Sequence, residues 1–500
     1  MAEGPPVVTV TARRTRDGIA AEPVIGLEIH VQLLTASKMF CGCAVAFGAP
    51  PNTLICPVCL GLPGALPVTN RRAVALGLRT AVALRCAVAP ESRFHRKNYY
   101  YPDLPKNYQI SQYQYADHPP LGSDGWLEFA ALGVPRAVRI RRVHLEEDTG
   151  KLLHVEREGA VSHTLIDYNR SGVPLMEVVT QPDLRSPAEA REFLIVLRAL
   201  LQYLEVSSGR MEEGTMRVDA NVSLRRLDGT AGIRTEVKNM NSLRAVERAL
   251  AFEAARQADL LTAGGTVTQE TRHWDERRQV TFASRVKEEA EDYRYFPEPD
   301  LIPITVEPAE VERVREALPE LPAQKATRYV SALGLSAYDA DLIVRRPPLA
   351  AFFEEALALY PNAKALANWL TGDIAGLLNA EGKEIDETAL RPEGLAALLR
   401  LIDDGRISGR IAKDLLPELV RGGADPSALV AARGLEQISD AADLTRLVED
   451  VLAAHPGAVE EFRKGKARAI AFLVGQVMRE TRGRANPDLV NRLLRERLGG

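Results

Sequence analysis

Residues 24–33 read Val24-Ile-Gly-Leu-Glu-Ile-His-Val-Gln-Leu33. A strand has a side-chain period of two, so Ile25, Leu27, Ile29, Val31 and Leu33 share one face. Glu28, His30 and Gln32 share the other. Glu28 and His30 then lie about 6–7 Å apart along the strand, pointing the same way. An apolar face demands a core behind it, and the polar face is either a solvated surface or a site.

The same alternation recurs downstream. In Met216–Arg225, Met216, Val218, Ala220, Val222 and Leu224 face a core, while Arg217, Asp219, Asn221, Ser223 and Arg225 line the opposite side. That polar mixture suits a metal, a phosphate or a carboxylate, and a solvated face equally. A further polar strand, Arg234–Ser242, runs into an amphipathic helix predicted over about 243–258, with Asn241 or Ser242 as its cap. The helix N-terminus adds an anion-binding position. Several polar strand faces in one stretch of chain predict a sheet whose polar side is a concave site.

His144-Leu-Glu-Glu-Asp-Thr-Gly-Lys151 follows the strand pattern of Val138–Val143. Three successive carboxylates repel one another unless a cation sits among them. A solvated turn and a Mg²⁺ site both fit, since Mg²⁺ takes one or two carboxylates together with substrate phosphates. Lys151 beside Gly150 suits an oxyanion. No G-x-x-x-x-G-K-[ST] and no G-x-G-x-x-G follows a strand, so any ATP here is not on a P-loop.

Cys41 and Cys43, then Cys56 and Cys59, place four thiols within nineteen positions. Two close pairs joined by a short loop suit tetrahedral Zn²⁺, and four unrelated buried cysteines are the competing reading. With four cysteines as ligands no coordination position stays open, which makes the zinc structural. Cys86 stands alone and reads as a small core residue. The loop Ser92–Gln112 interleaves Arg93, Arg96, Lys97 and Lys106 with Tyr99, Tyr100, Tyr101 and Tyr108. Cations for phosphates and rings for stacking suit a nucleotide or a single-stranded acceptor end, and a packed surface loop is the alternative.

Texture divides the chain. Up to about residue 297, strand-type alternation, aromatics, Gly and Asn dominate; beyond it, Ala, Leu, Glu and Arg recur at helical spacing. Phe296–Pro303 holds three prolines and reads as a boundary, and Asp403–Arg410 as a second break. The expected units are a leader at 1–22, a sheet-based domain at 23–297, a helical domain at 298–405 and a helical tail at 406–500. The leader lacks an apolar run and carries Glu3, Asp17 and Glu22, so it is expected to be disordered rather than a signal or transit peptide. Over 500 residues the net charge is −4, with 46% hydrophobic and 26% charged residues, which excludes disordered, collagenous and coiled-coil classes. Five cysteines do not make a disulfide scaffold, and no window approaches a membrane span. A cytoplasmic protein is expected.

These stretches together resemble the B-type chains of the tRNA-dependent amidotransferases acting on Glu-tRNA(Gln) and Asp-tRNA(Asn). The runs that carry the resemblance are 24–33, 96–103, 105–111, 144–151, 166–177 and 211–223. They continue with 236–242, 292–300, 472–478 and 485–488, and the likeness covers about 23–500. One departure is Ala471, where the family usually has Gly before Phe472-Leu-Val-Gly-Gln476. The resemblance implies an α+β fold: an N-terminal antiparallel-sheet cradle, glutamine synthetase-like, followed by an all-helical middle domain and a small helical tail. It implies that ATP phosphorylates the side-chain carboxylate of a misacylated tRNA and that ammonia then displaces phosphate. It implies Mg²⁺ on His30, Glu147 and Glu177, with Glu28 and Glu146 beside them and Lys97 and Lys106 at the active site and ammonia path. Lys151, Arg170, Arg217, Asp219, Asn221, Ser223, Glu236 and Lys238 are expected to meet ATP and the aminoacyl group. The four cysteines match the zinc-bearing members of the family.

The chain shows neither an amidase signature nor an evident glutaminase, so two partners are implied: an A-type amidase chain and a small C-type chain of the amidotransferase. From Glu461 to Gly500 there are ten Lys and Arg against four Asp and Glu, so a near-neutral total conceals a basic tail. Arg463, Lys464, Lys466, Arg482 and Arg484 are the expected tRNA contacts. A non-catalytic, zinc-stabilised tRNA-binding scaffold is the alternative function, but it has no need of so many carboxylates on polar strand positions.

Overall fold

The computed structural model describes residues 21–113, 118–131, 133–157, 160–226, 228–286, 293–437, 441–463, 468–481 and 484–499. Its centre is a nine-stranded sheet. In chain order the strands are β1 Ala21–Gln32, β2 Ala87–Val88, β3 Gly122–Ala131, β4 Val134–Glu147 and β5 Pro174–Thr180. They continue with β6 Met216–Arg226, β7 Thr235–Lys238, β8 Glu270–Asp275 and β9 Val280–Val286. Across the sheet the order is β9-β8-β7-β6-β1-β5-β4-β3-β2. Every neighbouring pair is antiparallel except β7 and β8. β1, the strand of Glu28 and His30, is central, between β6 and β5.

From Ile25 on, the odd-numbered residues of β1 are buried, as the alternation predicts. Ile25, Leu27, Ile29 and Val31 join Val218, Ala220 and Val222 of β6 and Met176 and Val178 of β5 in one core. Three helices pack onto that core: α1 (Arg71–Ala83), α2 (Pro187–Tyr203) and α3 (Leu243–Thr262). Fully burying a Leu or Ile side chain stabilises by roughly 1.5–3 kcal/mol, so this face fixes the strand register. Ser186 caps α2 with Pro187 as its first residue, and Asn70 caps α1. Ser242 caps α3, which runs four residues past its expected end.

The chain divides into two compact units, the first ending at Ala323 and the second spanning Gln324–Gly500. The proline-rich segment at 296–303 is therefore not a linker. Phe296–Pro297 pairs with the strand His95–Asn98, Glu298 accepts two bonds from Arg96 at 2.6 and 2.8 Å, and Ile304 and Val306 enter the first core. Pro lacks an N–H, which suits an edge strand. At the other end, Ala21 and Glu22 lie in β1 rather than in a leader; residues 1–20 are outside the described residues. The second unit is helical. Asp403–Arg410 spans the turn between the packed helices Pro392–Asp403 and Gly409–Gly422, and a separate core gathers Leu444, Val448, Leu473, Val477, Val490 and Leu494. Among the described residues no helix is long and apolar enough to cross a membrane.

Candidate active site

Register carries the polar face of β1 across the sheet. His30 stands opposite Arg217 on β6 and Glu177 on β5, and Glu177 stands opposite His144 on β4. Glu28 stands opposite Asp219, and Asn221 opposite Glu236 on β7. Strand period two puts Glu146 on the face of His144, and there the chain gathers its metal-ready group: His30, Glu146 and Glu177 offer one ligand atom each within 4.8 Å of one another. His30 Nε2 lies 3.6 Å from Glu146 Oε1, and His144 Nε2 lies 3.0 Å from Glu177 Oε2. Ser111 Oγ donates to Glu146 Oε2 at 3.0 Å, and Arg142 Nη2 is 3.5 Å from Glu177.

Burial opposes ionisation of Glu177, yet His144, His30 and Arg142 hold its carboxyl well below the usual carboxylate range. Glu146 is likewise held down against burial by His144 and His30. Burial disfavours a charged His144, but Glu177 and Glu146 outweigh it and push the imidazole up. Two ionised carboxylates and an imidazole converging at this separation fit a divalent cation.

Glu147 is not part of this group. One residue on from Glu146, it faces the other side of the strand, bonds to Lys106 Nζ and accepts from Ile110 N at 3.0 Å. Lys106 and Glu147 line a cavity of about 170 Å³ with Phe40, Cys59 and Tyr108. Of the expected trio of His30, Glu147 and Glu177, the structure brings His30 and Glu177 together with Glu146 and leaves Glu147 outside the group, and strand alternation is the reason.

Cations flank the group on its β6 and β7 side. Lys238 Nζ donates to Asp219 Oδ2 at 2.6 Å and lies 3.5 Å from Glu236. Burial disfavours this ammonium, but Asp219 and Glu236 outweigh burial and push its pKa up. Arg217 is bonded to the buried Asp148 at 2.9 Å, which also takes Gln32 at 2.9 Å. Asn221 Nδ2 donates to Glu28 at 3.0 Å, while its buried Oδ1 has no partner among the described residues. Ser223 shares that face, opposite Val24. Glu236 also accepts from Thr271 at 2.8 Å.

Other expected residues stand apart. Lys151 is exposed on the hairpin formed by Lys151–Arg157 and Ala160–Asp167, opposite Asp167 rather than on the polar face. Arg170 holds the turn before it, donating to Thr149 O at 2.9 Å and Gly150 O at 2.6 Å. Lys97 sits over the rings of Tyr293 and Tyr99, at 4.8 and 5.6 Å. These tyrosines join Tyr295, which stacks on Tyr113 at 4.0 Å. Burial, then Glu146, pushes the Tyr99 and Tyr295 phenols upward, so the aromatic wall borders the carboxylates. Sequence reasoning gives His144 and Arg142 no role, leaves Asp148 as one of three successive carboxylates, and of this wall singles out Tyr99 alone. His144 is within its reach, since period two puts it beside Glu146. In the tail Arg463 is exposed and Arg484 donates to the carbonyls of Thr481 and Gly434; Lys464, Lys466 and Arg482 lie outside the described residues.

The four thiols of Cys41, Cys43, Cys56 and Cys59 converge within 4.8 Å. Tetrahedral zinc with bonds of about 2.3 Å asks for sulfurs roughly 3.8 Å apart, so the set fits a metal such as zinc. Cys59 is held down to about 4, first by the Cys41 thiol and then, against burial, by a backbone N–H and Lys38. Burial pushes Cys43 up to about 11. The knuckle grips the turn before β5: Asn52 bonds the backbone of Ile166 and Tyr168, and Leu54 N donates to Asn169 at 2.8 Å. Cys86 is a buried core residue, as expected.

Residues 23–312 match the family model of the GatB/GatE catalytic domain, and 351–498 match that of the GatB domain. The chain belongs to the GatB/GatE family. It is 55% identical over 478 residues to the B chain of the Aspartyl/glutamyl-tRNA(Asn/Gln) amidotransferase of Moorella thermoacetica, covering 95% of this chain and 99% of the relative. The protein of that name from Carboxydothermus hydrogenoformans is 51% identical over 95% and 98% of the two chains, and that from Anaeromyxobacter is 52% identical over the same shares. The expected family and α+β fold are thereby borne out. The catalytic-domain match runs past the proline-rich segment, as the first compact unit does.

Proposed function

We propose that this chain is the carboxylate-activating ligase component of a tRNA-dependent amidotransferase, amidating Glu-tRNA(Gln), Asp-tRNA(Asn) or both. The observation that carries the reading is the convergence of His30, Glu146 and Glu177 on one sheet face beside Arg217, Asp219 and Lys238. A carboxylate is a poor acyl donor and an acyl phosphate a good one. The γ-phosphoryl of ATP bonds to a side-chain oxygen of the aminoacyl group, releasing ADP. The ammonia nitrogen then bonds to the acyl carbon, phosphate leaves, and the surplus proton passes to solvent. Such transfer needs positioning and charge neutralisation more than covalent help from the protein.

His30, Glu146 and Glu177 would hold Mg²⁺, and the ion would supply charge neutralisation for the phosphate oxygens of ATP. Arg217 and Lys238 place positive charge where phosphates gather, and Asp219 and Asp148 aim them. The buried Asn221 acceptor, unpaired among the described residues, suits a hydroxyl or ammonium of the aminoacyl adenosine. The Tyr99, Tyr293 and Tyr295 wall offers stacking surface and excludes water from the carboxylates. Zinc on the four cysteines would be structural. An A-type amidase chain would supply ammonia, a small C-type chain would join the two, and the basic tail would meet tRNA, all in the cytoplasm.

The test mixes this chain with its amidase partner, ATP, Mg²⁺ and either misacylated tRNA, then measures ADP and amidated product. Glu146→Ala and Glu177→Ala should lose both. Undiminished ADP and product in these variants would sink the reading and leave a tRNA-binding scaffold.

A further inference from the structure

Lys38 has no place in the reaction just described, yet its side chain is 1% exposed. Burying an ammonium is costly unless an anion answers it. Among the described residues Lys38 makes no ion pair with a carboxylate, and Glu147, which lines the same cavity, is paired with Lys106. Its Nζ has two partners: the Tyr168 carbonyl at 3.3 Å and the Cys59 sulfur at 3.7 Å.

The backbone holds Lys38 in the same knuckle, its N–H donating to the Cys43 carbonyl at 2.9 Å. Gly172 packs beside the stem. Its φ is +83°, and a Cβ there would come within 3.5 Å of both Lys38 and Cys59. Four thiolates around one divalent zinc leave two negative charges uncompensated. A buried cation touching one sulfur answers part of that charge and draws electron density from the ligand without displacing it.

We propose that Lys38 is the built-in counter-cation of a tetrathiolate zinc centre, its ammonium resting against the Cys59 ligand and slowing release of the metal. The side chain also ties the centre to the turn that leads into β5, through Tyr168. This inference rests on zinc filling the cysteine cluster, and the experiment separates the two.

Zinc content of the full chain is measured first, by atomic absorption. Fewer than one zinc per wild-type chain would end the zinc reading and the role of Lys38 together. With the metal present, its transfer to a chromogenic chelator is timed in the wild type, Lys38→Gln and Lys38→Arg. Glutamine keeps a donor for the Tyr168 carbonyl but removes the charge; arginine keeps the charge. Outer partners of metal ligands are worth roughly 10–100-fold in affinity, so Lys38→Gln should release zinc about tenfold faster or more, with Lys38→Arg close to the wild type. Wild-type release from Lys38→Gln would overturn the assignment while leaving the zinc reading intact. Should Lys38→Gln not yield folded protein, Lys38→Met and Lys38→Arg are refolded with zinc. Loaded protein from arginine alone supports the counter-cation, and equal recovery from both overturns it.

Discussion

Two groups of buried carboxylates in the first unit carry opposite lessons. Glu253, fully buried on α3, has every oxygen answered at close range: Arg256 at 2.6 and 2.9 Å, Gln257 at 3.0 Å and Thr281 at 3.0 Å. Across the sheet, Glu146 and Glu177 are nearly as buried but more loosely met, with His30, Arg142 and His144 contacts of 3.5 to 3.7 Å beside two short bonds. Both groups are held ionised against burial. The first spends its charge inside the fold, and the second is the group proposed above to coordinate a cation. Burial of charge alone does not mark a site; incomplete satisfaction does.

The comparison breaks most sharply on activity. Glu177→Gln and Glu146→Gln keep volume and remove the charge a cation needs, so ATP-dependent amidation should fall about 10²–10³-fold with the unfolding midpoint little changed. If either variant turns over like the wild type, the two groups are not different in kind. Glu147→Ala sits between them. It leaves the Lys106 ammonium and the Ile110 N–H without their partner, so stability should drop by about 3–5 kcal/mol in chemical denaturation. Glu147→Gln, which preserves an acceptor for Ile110, should recover part of it. Stripping the cysteine cluster of metal, or Cys59→Ser, should lower the thermal midpoint by several degrees, because the knuckle grips the turn that precedes Glu177.

Glu146 and Glu147 also show how far the sequence can be read. The alternation of Ile25–Leu33 and Met216–Arg225 is legible because one face of each is wholly apolar. It locates the sheet, its polar side, and His30, Asp219 and Asn221 upon it. In His144–Lys151 three carboxylates run together after Leu145, the last apolar anchor of period two, so Glu146 and Glu147 are not told apart unless Val143 and Leu145 are used to set the face. His144 can still be placed by counting back two from Glu146. The aromatic wall cannot, because Tyr113, Tyr293 and Tyr295 meet only through tertiary pairing. Prolines at 297, 299 and 303 read as a linker for a related reason: an edge strand and a domain boundary share the absence of N–H donors, and only the register with His95–Arg96 separates them.

The smaller effects sharpen the other half of the comparison. Glu253→Gln removes a charge whose folded-state pKa is depressed: burial raises it, but Arg256, Gln257 and Thr281 bring it below its ordinary value of 4.5. A depressed carboxyl contributes stability that is complete above its unfolded pKa and lost as pH falls through the folded one. The variant should therefore be less stable than the wild type by on the order of 2 kcal/mol at pH 7, with the gap closing below about pH 4 and kcat unchanged throughout. A gap that persisted in acid would mean that the glutamine fails by shape, and a fall in kcat would place Glu253 with the other group. Lys151→Ala is the smallest: exposed on its hairpin, it should change stability by less than about 0.5 kcal/mol and leave the KM for ATP alone. A raised KM would show that the hairpin folds over the polar face when nucleotide is bound, and would return Lys151 to the site.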